Sequence, residues 1–190
     1  MNKIKKICVF CGSGLGGKEI YSDVTEKFAA EIVKNGLELV YGGGNIGLMG
    51  ILSDNVKKHG GKVTGVIPEF LYNLKLGNKN ADELKIVKDM HERKKTMYEL
   101  SDCFVALPGG IGTLEEIFEI FTWQQLALHC KPCGILNIGG YYDSLIEFLN
   151  KTAGDDFMKH DHLENLVIDE DFDKIIPKLS ACKINKTAKV

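Results

Sequence analysis

Short apolar runs alternate with segments of helical periodicity along this chain. Seven runs have the length and composition of buried strands: residues 4–11, 37–41, 63–67, 84–87, 103–107, 134–138 and 166–168. Six segments repeat apolar residues at the helical period: residues 22–34, 50–59, 90–100, 113–129, 142–152 and a last helix through Leu179. Because strands that alternate with helices favour parallel crossovers, we expect an α/β fold: a Rossmann-like doubly wound parallel sheet with helices on both faces.

Three glycine-rich turns follow predicted strands, at residues 12–17, 42–50 and 108–112. The carboxyl ends of parallel strands lie along one edge of a sheet, where ligands bind, so the three turns are expected to line one rim. Residues 68–82 show no clean period and are expected to form an irregular loop over that rim. Convergence of three such turns predicts a nucleotide-type ligand.

The third turn has the clearest chemistry. It joins the apolar run 103–107 to a helix expected to begin at Thr113, and Thr113 and Glu116 have the spacing of a capping box. The amides of Gly109, Gly110 and Gly112 and of the first helical turn would then face a common point. A phosphate suits that point, since the helix dipole and free N–H donors favour negative charge. An ordinary strand-to-helix turn, with Glu116 only as a cap, is the alternative at this stage.

Length and charge narrow the possible functions. A chain of 190 residues suffices for one well-buried domain, expected over residues 1–190, and no linker or repeat divides it. The formal net charge of −2 comes from interspersed acids and bases, so we expect no nucleic-acid partner and no membrane partner. The apolar run at residues 7–11 is too short for a signal-peptide core, which favours a cytoplasmic protein.

The cysteines and glycine fingerprints suggest alternatives that the rest of the chain does not support. Cys130 and Cys133 form a C-x-x-C that precedes a strand instead of opening a helix, so no metal and no cofactor are expected. Residues 12–17 and 42–47 match G-x-G-x-x-G, and an NAD-binding module is therefore one alternative. Little chain is left for a dehydrogenase's catalytic domain. A Walker A loop is missing, since Glu19 stands where a hydroxyl residue is needed.

Two strings give a more specific signal: Pro-Gly-Gly-x-Gly-Thr-x-x-Glu at residues 108–116 and Met-x-Glu-Arg-Lys at residues 90–94. With CVFCGSG, LVYGGGNIGLMG, GVIPEFL, TWQQL and KPCGILNIGGYYDSL, they make residues 8–149 resemble the "Lonely guy" family of cytokinin-activating phosphoribohydrolases, long mislabelled as lysine decarboxylases. The resemblance implies hydrolysis of the N-glycosidic bond of a nucleoside 5′-monophosphate, AMP or N6-prenylated AMP, to the free base and ribose 5-phosphate. A non-catalytic carrier of a nucleotide or of the molybdenum cofactor, with the same fold, is the alternative.

The resemblance also implies roles for particular residues. Arg93 and Glu116 match the catalytic pair, and Glu115 matches a position that contributes to binding the ribose phosphate. A carboxylate near the anomeric carbon can stabilise an oxocarbenium-like sugar and orient water, which suits Glu116, whereas Arg93 could orient Glu116 or help to expel the purine. The expected substrate-binding residues are Gly12, Ser13, Gly43, Gly44, Glu69, Lys94, Pro108, Gly109, Gly110, Ile111, Gly112, Thr113, Glu115 and Thr122.

The predicted helix at residues 113–129 is apolar around much of its circumference. Five of its residues exceed what one sheet face can cover: Ile120, Phe121, Trp123, Leu126 and Leu128. A second surface is needed for the excess, and the family resembled forms dimers or larger assemblies. We therefore expect a homodimer in which this helix and residues 90–100 contribute to the contact.

Overall fold

The computed structural model describes residues 4–184 of the chain. Within this range the strands are β1 (Lys6–Phe10), β2 (Glu38–Tyr41), β3 (Val63–Pro68), β4 (Glu83–Val87), β5 (Cys103–Ala106), β6 (Cys133–Leu136) and β7 (Leu166–Asp169). The α-helices are α1 (Ile20–Lys34), α2 (Gly47–Lys58), α3 (Glu69–Asn73), α4 (Met90–Leu100), α5 (Ile111–Gln125), α6 (Asp143–Gly154), α7 (His160–Leu163) and α8 (Ile175–Ala181).

The seven strands form one parallel sheet in the order β4-β3-β2-β1-β5-β6-β7. Strand β1 lies at the centre, where Ile7 is in register with Leu39 of β2 on one side and with Cys103 of β5 on the other. After β4 the chain crosses to the far side of β1, so the ends of β1 and β5 frame the switch point at which doubly wound sheets bind ligands. The predicted Rossmann-like fold is confirmed.

Helices cover both faces of the sheet. Phe28 of α1 and Leu52 of α2 pack on one face, whereas Met97 of α4 and Ile117 of α5 pack on the other. Successive residues of β1 enter the two cores alternately. Because both faces are covered, the central strands consist of nearly continuous apolar residues, which is the pattern that the sequence shows.

The start of α5 differs from the prediction. The capping box of Thr113 and Glu116 is wrong, because Gly110 is the N-cap, the helix begins at Ile111, and no side chain caps it by a hydrogen bond. Thr113 lies inside the first turn, and the carboxylate of Glu116 accepts a hydrogen bond from Arg93 of α4 instead of from its own helix. The first amides of α5 are thus left without a side-chain acceptor.

Acidic side chains cap α4 instead. The Asp89 carboxylate accepts a hydrogen bond from the Glu92 N–H at 2.9 Å, and the Glu92 carboxylate accepts one from the Lys88 N–H at 2.7 Å. These two acids complement the helix dipole at its N-terminus. The basic residues that follow, Arg93 and Lys94, therefore take no part in capping, and their side chains are fixed by groups on other elements.

The irregular loop predicted for residues 68–82 contains one short helix, α3, and is joined to the second glycine-rich turn. Gly44 and Gly77 form an antiparallel bridge, and the Asn78 N–H donates to the carbonyl oxygen of Gly43 at 2.9 Å. These contacts hold the segment over the carboxyl edge of the sheet. Leu76 consequently reaches the cleft described below.

Candidate active site

An open cleft of about 530 Å³ lies at the carboxyl edge of the sheet. All three glycine-rich turns line it, as their positions after parallel strands predict. Its polar side chains are Ser13, Arg93, Thr113, Glu115 and Glu116. Its apolar side chains include Ile46, Met49, Ile67, Leu71, Leu76 and Met90. One cleft thus combines backbone donors at a helix start, an ion pair and an apolar lining.

Arg93 and Glu116 form a buried ion pair in the wall of the cleft. Nη1 of Arg93 donates to Oε1 of Glu116, and Nε of Arg93 donates to the carbonyl oxygen of Val66 at 3.2 Å. Both residues are only 8% exposed. The guanidinium lies against Gly42, where a Cβ atom would come within 2.1 Å of Nη2. The second glycine-rich turn is therefore what gives the arginine room to reach the carboxylate.

Burial changes the electrostatics of this pair. It raises the pKa of the Glu116 carboxyl above its ordinary value, and the charge of Arg93 opposes part of that rise. Burial also raises the pKa of the neighbouring Cys11 thiol, and the charge of Glu116 adds to that effect. A carboxyl with a raised pKa in a cleft, beside a neutral thiol and a fixed cation, is characteristic of a functional acid or base.

Glu115, the adjacent acid, lies half exposed in the cleft lining. Nζ of Lys94 donates to Oε1 of Glu115 and, at 3.1 Å, to Oε1 of Glu119. Lys94 itself does not line the cleft. Because ion pairs with an exposed partner contribute only about 0–1 kcal/mol to stability, the main effect of Lys94 is to orient Glu115.

The structure brings most of the predicted site residues to the lining of the cleft. Those in its lining are Gly12, Ser13, Gly44, Arg93, Gly110, Ile111, Gly112, Thr113, Glu115 and Glu116. Gly43 lies behind the wall, where a Cβ atom would come within 3.1 Å of the Ile67 side chain. Pro108 and Gly109 line an adjoining recess of about 300 Å³ together with Tyr141.

Glu69 and Thr122 lie outside the cleft lining. Glu69 is exposed at the first position of α3. Thr122 is exposed in the last turn of α5, roughly 16 Å along the helix from Ile111, so it does not reach the cleft. Trp123 packs edge-on against Tyr98 with ring centroids 5.2 Å apart and therefore belongs to the packing between α4 and α5.

Sequence reasoning does not identify the apolar lining of the cleft residue by residue. The prediction of a loop over the site covers Leu71 and Leu76, but it gives no reason to select Ile46 or Met90. Ile46 is 47% exposed within a glycine-rich turn, and Met90 is 38% exposed at a helix start. Because single exposed apolar residues are common on protein surfaces, the sequence carries no signal that would have selected either of them.

Known proteins are similar to this chain over most of its length. Residues 49–179 match the family model described as "Possible lysine decarboxylase". The chain is 46% identical over 182 residues to the cytokinin riboside 5′-monophosphate phosphoribohydrolase LOG5 of Arabidopsis thaliana, over 96% of this chain and 80% of that protein. It is 48% identical over 157 residues to the phosphoribohydrolase LOG1 of the same plant, over 83% of this chain and 74% of that protein.

Solved structures of low sequence identity share the fold. The molybdenum cofactor binding protein from Rippkaea orientalis superimposes with a TM-score of 0.71 at 21% identity, over 95% of this chain and 98% of that chain. The molybdenum cofactor carrier protein from Chlamydomonas reinhardtii gives a TM-score of 0.68 at 20% identity, over 93% and 98%. These likenesses concern the fold alone. The family model and the two plant relatives show that the chain belongs to the "Lonely guy" family of cytokinin riboside 5′-monophosphate phosphoribohydrolases.

Proposed function

We propose that this protein hydrolyses the N-glycosidic bond of a purine nucleoside 5′-monophosphate and releases the free base and ribose 5-phosphate. The observation that carries the proposal is the buried pair of Arg93 and Glu116 in a cleft lined by three glycine-rich turns. The plant relatives are named for cytokinin riboside 5′-monophosphates. N6-prenylated AMP is therefore the proposed substrate, and AMP is the simpler compound to compare with it.

Glu116 supplies the charge that this reaction needs. Departure of the base leaves an oxocarbenium-like sugar, which a carboxylate beside the anomeric carbon stabilises while it orients the attacking water. The guanidinium of Arg93 favours the ionised form of Glu116, since its charge opposes the rise in the pKa. Because Arg93 already donates to Glu116 and to Val66, the geometry supports an orienting role for the arginine.

The 5′-phosphate binds at the start of α5 in this proposal. Gly110, Gly112 and Thr113 line the cleft there, and no side chain caps the helix. Free amides and the positive end of the helix dipole both favour a dianion. Phosphate binding remote from the reacting bond would hold the sugar in place against Glu116, which converts binding energy into positioning.

The apolar part of the cleft suits the base and an apolar N6 substituent. Ile46 and Met90 are partly exposed there, together with Leu71 and Leu76. A ligand that covers apolar surface gains about 25 cal/mol for each Å² removed from water. We therefore propose a preference for the prenylated over the unsubstituted adenine nucleotide.

A non-catalytic carrier is the second candidate, because the molybdenum cofactor carrier protein from Chlamydomonas reinhardtii shares the fold. Carriage of a ligand does not require a carboxyl with a raised pKa held by a buried arginine. The pair of Arg93 and Glu116 therefore favours the hydrolase.

The test is to incubate the purified protein with AMP, N6-prenylated AMP and the two matching nucleosides, and to quantify released base by chromatography. We expect release from the monophosphates, with kcat/KM for the nucleosides lower by about a hundredfold or more, since the phosphate contributes to transition-state binding. Comparable rates on nucleosides would contradict the phosphate role of the third turn. Binding without any base release would favour the carrier.

We also propose that residues 1–190 act as one cytoplasmic domain that assembles as a homodimer. Within residues 4–184, no helix has the length and apolarity to cross a bilayer. The prediction that five residues of this helix need cover from a second surface is partly wrong. Ile120 and Phe121 are buried in the core, and the helix ends at Gln125. Leu126 and Leu128, just beyond its end, are 49% and 66% exposed and carry the proposal.

Light scattering at micromolar concentration tests the assembly. We expect the mass of two subunits for the wild-type protein and of one subunit for Leu126→Glu, which places a charge in the proposed contact. A matched charge elsewhere, Phe148→Glu at an exposed position of α6, should leave the dimer intact. A wild-type mass of one subunit would contradict the homodimer.

A further inference from the structure

Three successive carbonyl oxygens accept hydrogen bonds from other parts of the chain: that of Leu107, just before the third turn, and those of Pro108 and Gly109 within it. The pairs are the Tyr142 hydroxyl with Leu107 at 2.7 Å, the Gly12 N–H with Pro108 at 3.0 Å and the Tyr141 hydroxyl with Gly109 at 2.7 Å. Two adjacent tyrosines before α6 thus hold the backbone that leads into α5. Neither phenol takes part in the proposed chemistry, so the effect of each hydroxyl is on the backbone to which it donates.

The bond from Tyr141 fixes the direction of a peptide unit. In a trans peptide, the N–H points opposite to the C=O, and none of the peptide bonds in residues 4–184 is cis. Because the carbonyl of Gly109 points to Tyr141, the N–H of Gly110 points away from it. Gly110 lies between the cleft and the adjoining recess and lines both, whereas Tyr141 lines the recess and not the cleft, so an N–H that points away from Tyr141 points toward the cleft side. The hydroxyl therefore determines where one donor of the cleft is aimed.

The bond from Tyr142 has no such consequence. Its acceptor, the carbonyl oxygen of Leu107, belongs to the peptide unit whose nitrogen is that of Pro108, which carries no hydrogen. Tyr142 is 3% exposed and holds the end of β5 in the core. The two hydrogen bonds have equal length and come from neighbouring residues, but only the one from Tyr141 fixes the direction of an N–H group.

We propose that Tyr141 is a positioning residue for the 5′-phosphate, acting through the Gly109–Gly110 peptide without touching the substrate. This inference rests on the proposed function, because it concerns the phosphate site of that function. The Tyr141 ring lies edge-on to Tyr21 and Tyr142, with centroids 5.5 and 4.8 Å apart. Tyr141→Phe keeps these ring contacts and removes the hydroxyl alone.

Calorimetric titration with ribose 5-phosphate and, separately, with adenine tests the inference without requiring turnover. The proteins compared are the wild type, Tyr141→Phe and the matched control Tyr142→Phe. We expect Tyr141→Phe to bind ribose 5-phosphate about three- to tenfold more weakly, the effect of one hydrogen bond, and to bind adenine within twofold of the wild type. Tyr142→Phe should melt at a lower temperature and keep the wild-type ratio of the two affinities.

The possible outcomes distinguish the role of Tyr141, the phosphate site and the hydrolase activity. Unchanged affinity of Tyr141→Phe for ribose 5-phosphate overturns the inference, and so does an equal loss for adenine or an equal loss in Tyr142→Phe, since those results indicate a structural role only. A wild-type protein that does not bind ribose 5-phosphate overturns the inference together with the phosphate site. A protein that binds it, loses affinity in Tyr141→Phe and yet releases no base overturns the hydrolase alone.

Discussion

Replacing Glu116 with glutamine tests the residue on which the proposed mechanism depends. The amide keeps the size of the side chain and an oxygen that can accept the Arg93 hydrogen bond, but it removes the negative charge. Loss of one electrostatic group that stabilises a transition state lowers kcat by about 10²–10³. We therefore expect kcat to fall by at least about a hundredfold while KM changes little, because the bound sugar carries no positive charge before the bond breaks.

Folding stability should change as well, for a reason unrelated to helix capping. Glu116 is the partner of a buried guanidinium, and removing one member of a buried pair costs about 3–5 kcal/mol when a charge is left uncompensated. The glutamine oxygen retains the hydrogen bond, and the raised pKa shows that burial already penalises the ionised carboxylate. We therefore expect a smaller loss, about 1–3 kcal/mol in the free energy of unfolding.

The matched control is Glu119→Gln. Glu119 lies on the same helix, pairs with Lys94 and does not line the cleft, so the same chemical change there should leave kcat within about twofold. Chromatographic base release measures turnover, and denaturant unfolding measures stability. Turnover of Glu116→Gln within tenfold of the wild type would refute the mechanism, as would an equal loss in Glu119→Gln.

A change of pH and substitutions at Gly47 and Arg93 give the remaining predictions. Because burial raises the Glu116 pKa above 4.5, kcat/KM should decline as the pH falls through that raised value; a profile flat down to pH 4.5 would contradict this. With a raised pKa, the folded protein binds the Glu116 proton more tightly than the unfolded chain does. The stability of the wild type relative to Glu116→Gln should therefore be greatest below the pKa of the unfolded chain and fall as the pH rises through the pKa of the folded protein. Denaturant unfolding at several pH values measures this difference. Gly47→Ala places a Cβ 2.3 Å from the Ser13 backbone at a φ of 61°, and should cost more than about 2 kcal/mol and weaken nucleotide binding. Gly36→Ala, at a φ of 69° in open space, should cost about 1 kcal/mol and leave turnover unchanged, and equal losses would refute the clash. Arg93→Lys keeps the charge but loses the planar fork, so kcat should fall about tenfold or more; wild-type turnover would show that charge alone suffices.

Local pattern predicted the seven strands and six of the eight α-helices of residues 4–184, all but the short α3 and α7, but it did not predict which elements are neighbours. The helix predicted over residues 90–100 has the bounds of α4, because the apolar spacing and the flanking residues of that segment are local signals. The order of the strands is not encoded in any one segment. Ile7 lies beside both Leu39 and Cys103, and only the packing of the complete chain selects those neighbours.

The wrong capping box shows where local reasoning stops. A Thr-x-x-Glu string at a helix start is compatible with a carboxylate that turns back to its own backbone and with one that reaches another helix. In this chain Glu116 reaches Arg93, and the glycine turn at Gly42 makes room for the guanidinium. The decision depends on a contact between distant segments. The number of exposed apolar residues on α5 was overestimated for the same reason, since Ile120 is buried in the core by distant parts of the chain.

The arrangement of α4 and α5 explains why the proposed phosphate site and the reacting carboxylate belong to one helix. Adjacent cations of α4, Arg93 and Lys94, pair with adjacent acids of α5, and the buried arginine holds Glu116, the proposed catalytic acid. From Ile111 to Glu116 the helix rises roughly 8 Å, and over that distance a helix is rigid. In the proposed complex, a phosphate at the start of α5 would therefore set the distance of the sugar from Glu116, and Arg93 would set the direction of the carboxylate. Neither the distance of the sugar from Glu116 nor the direction of the carboxylate depends on the base. Nucleotides that differ only in the base would therefore be held in the same position for the reaction.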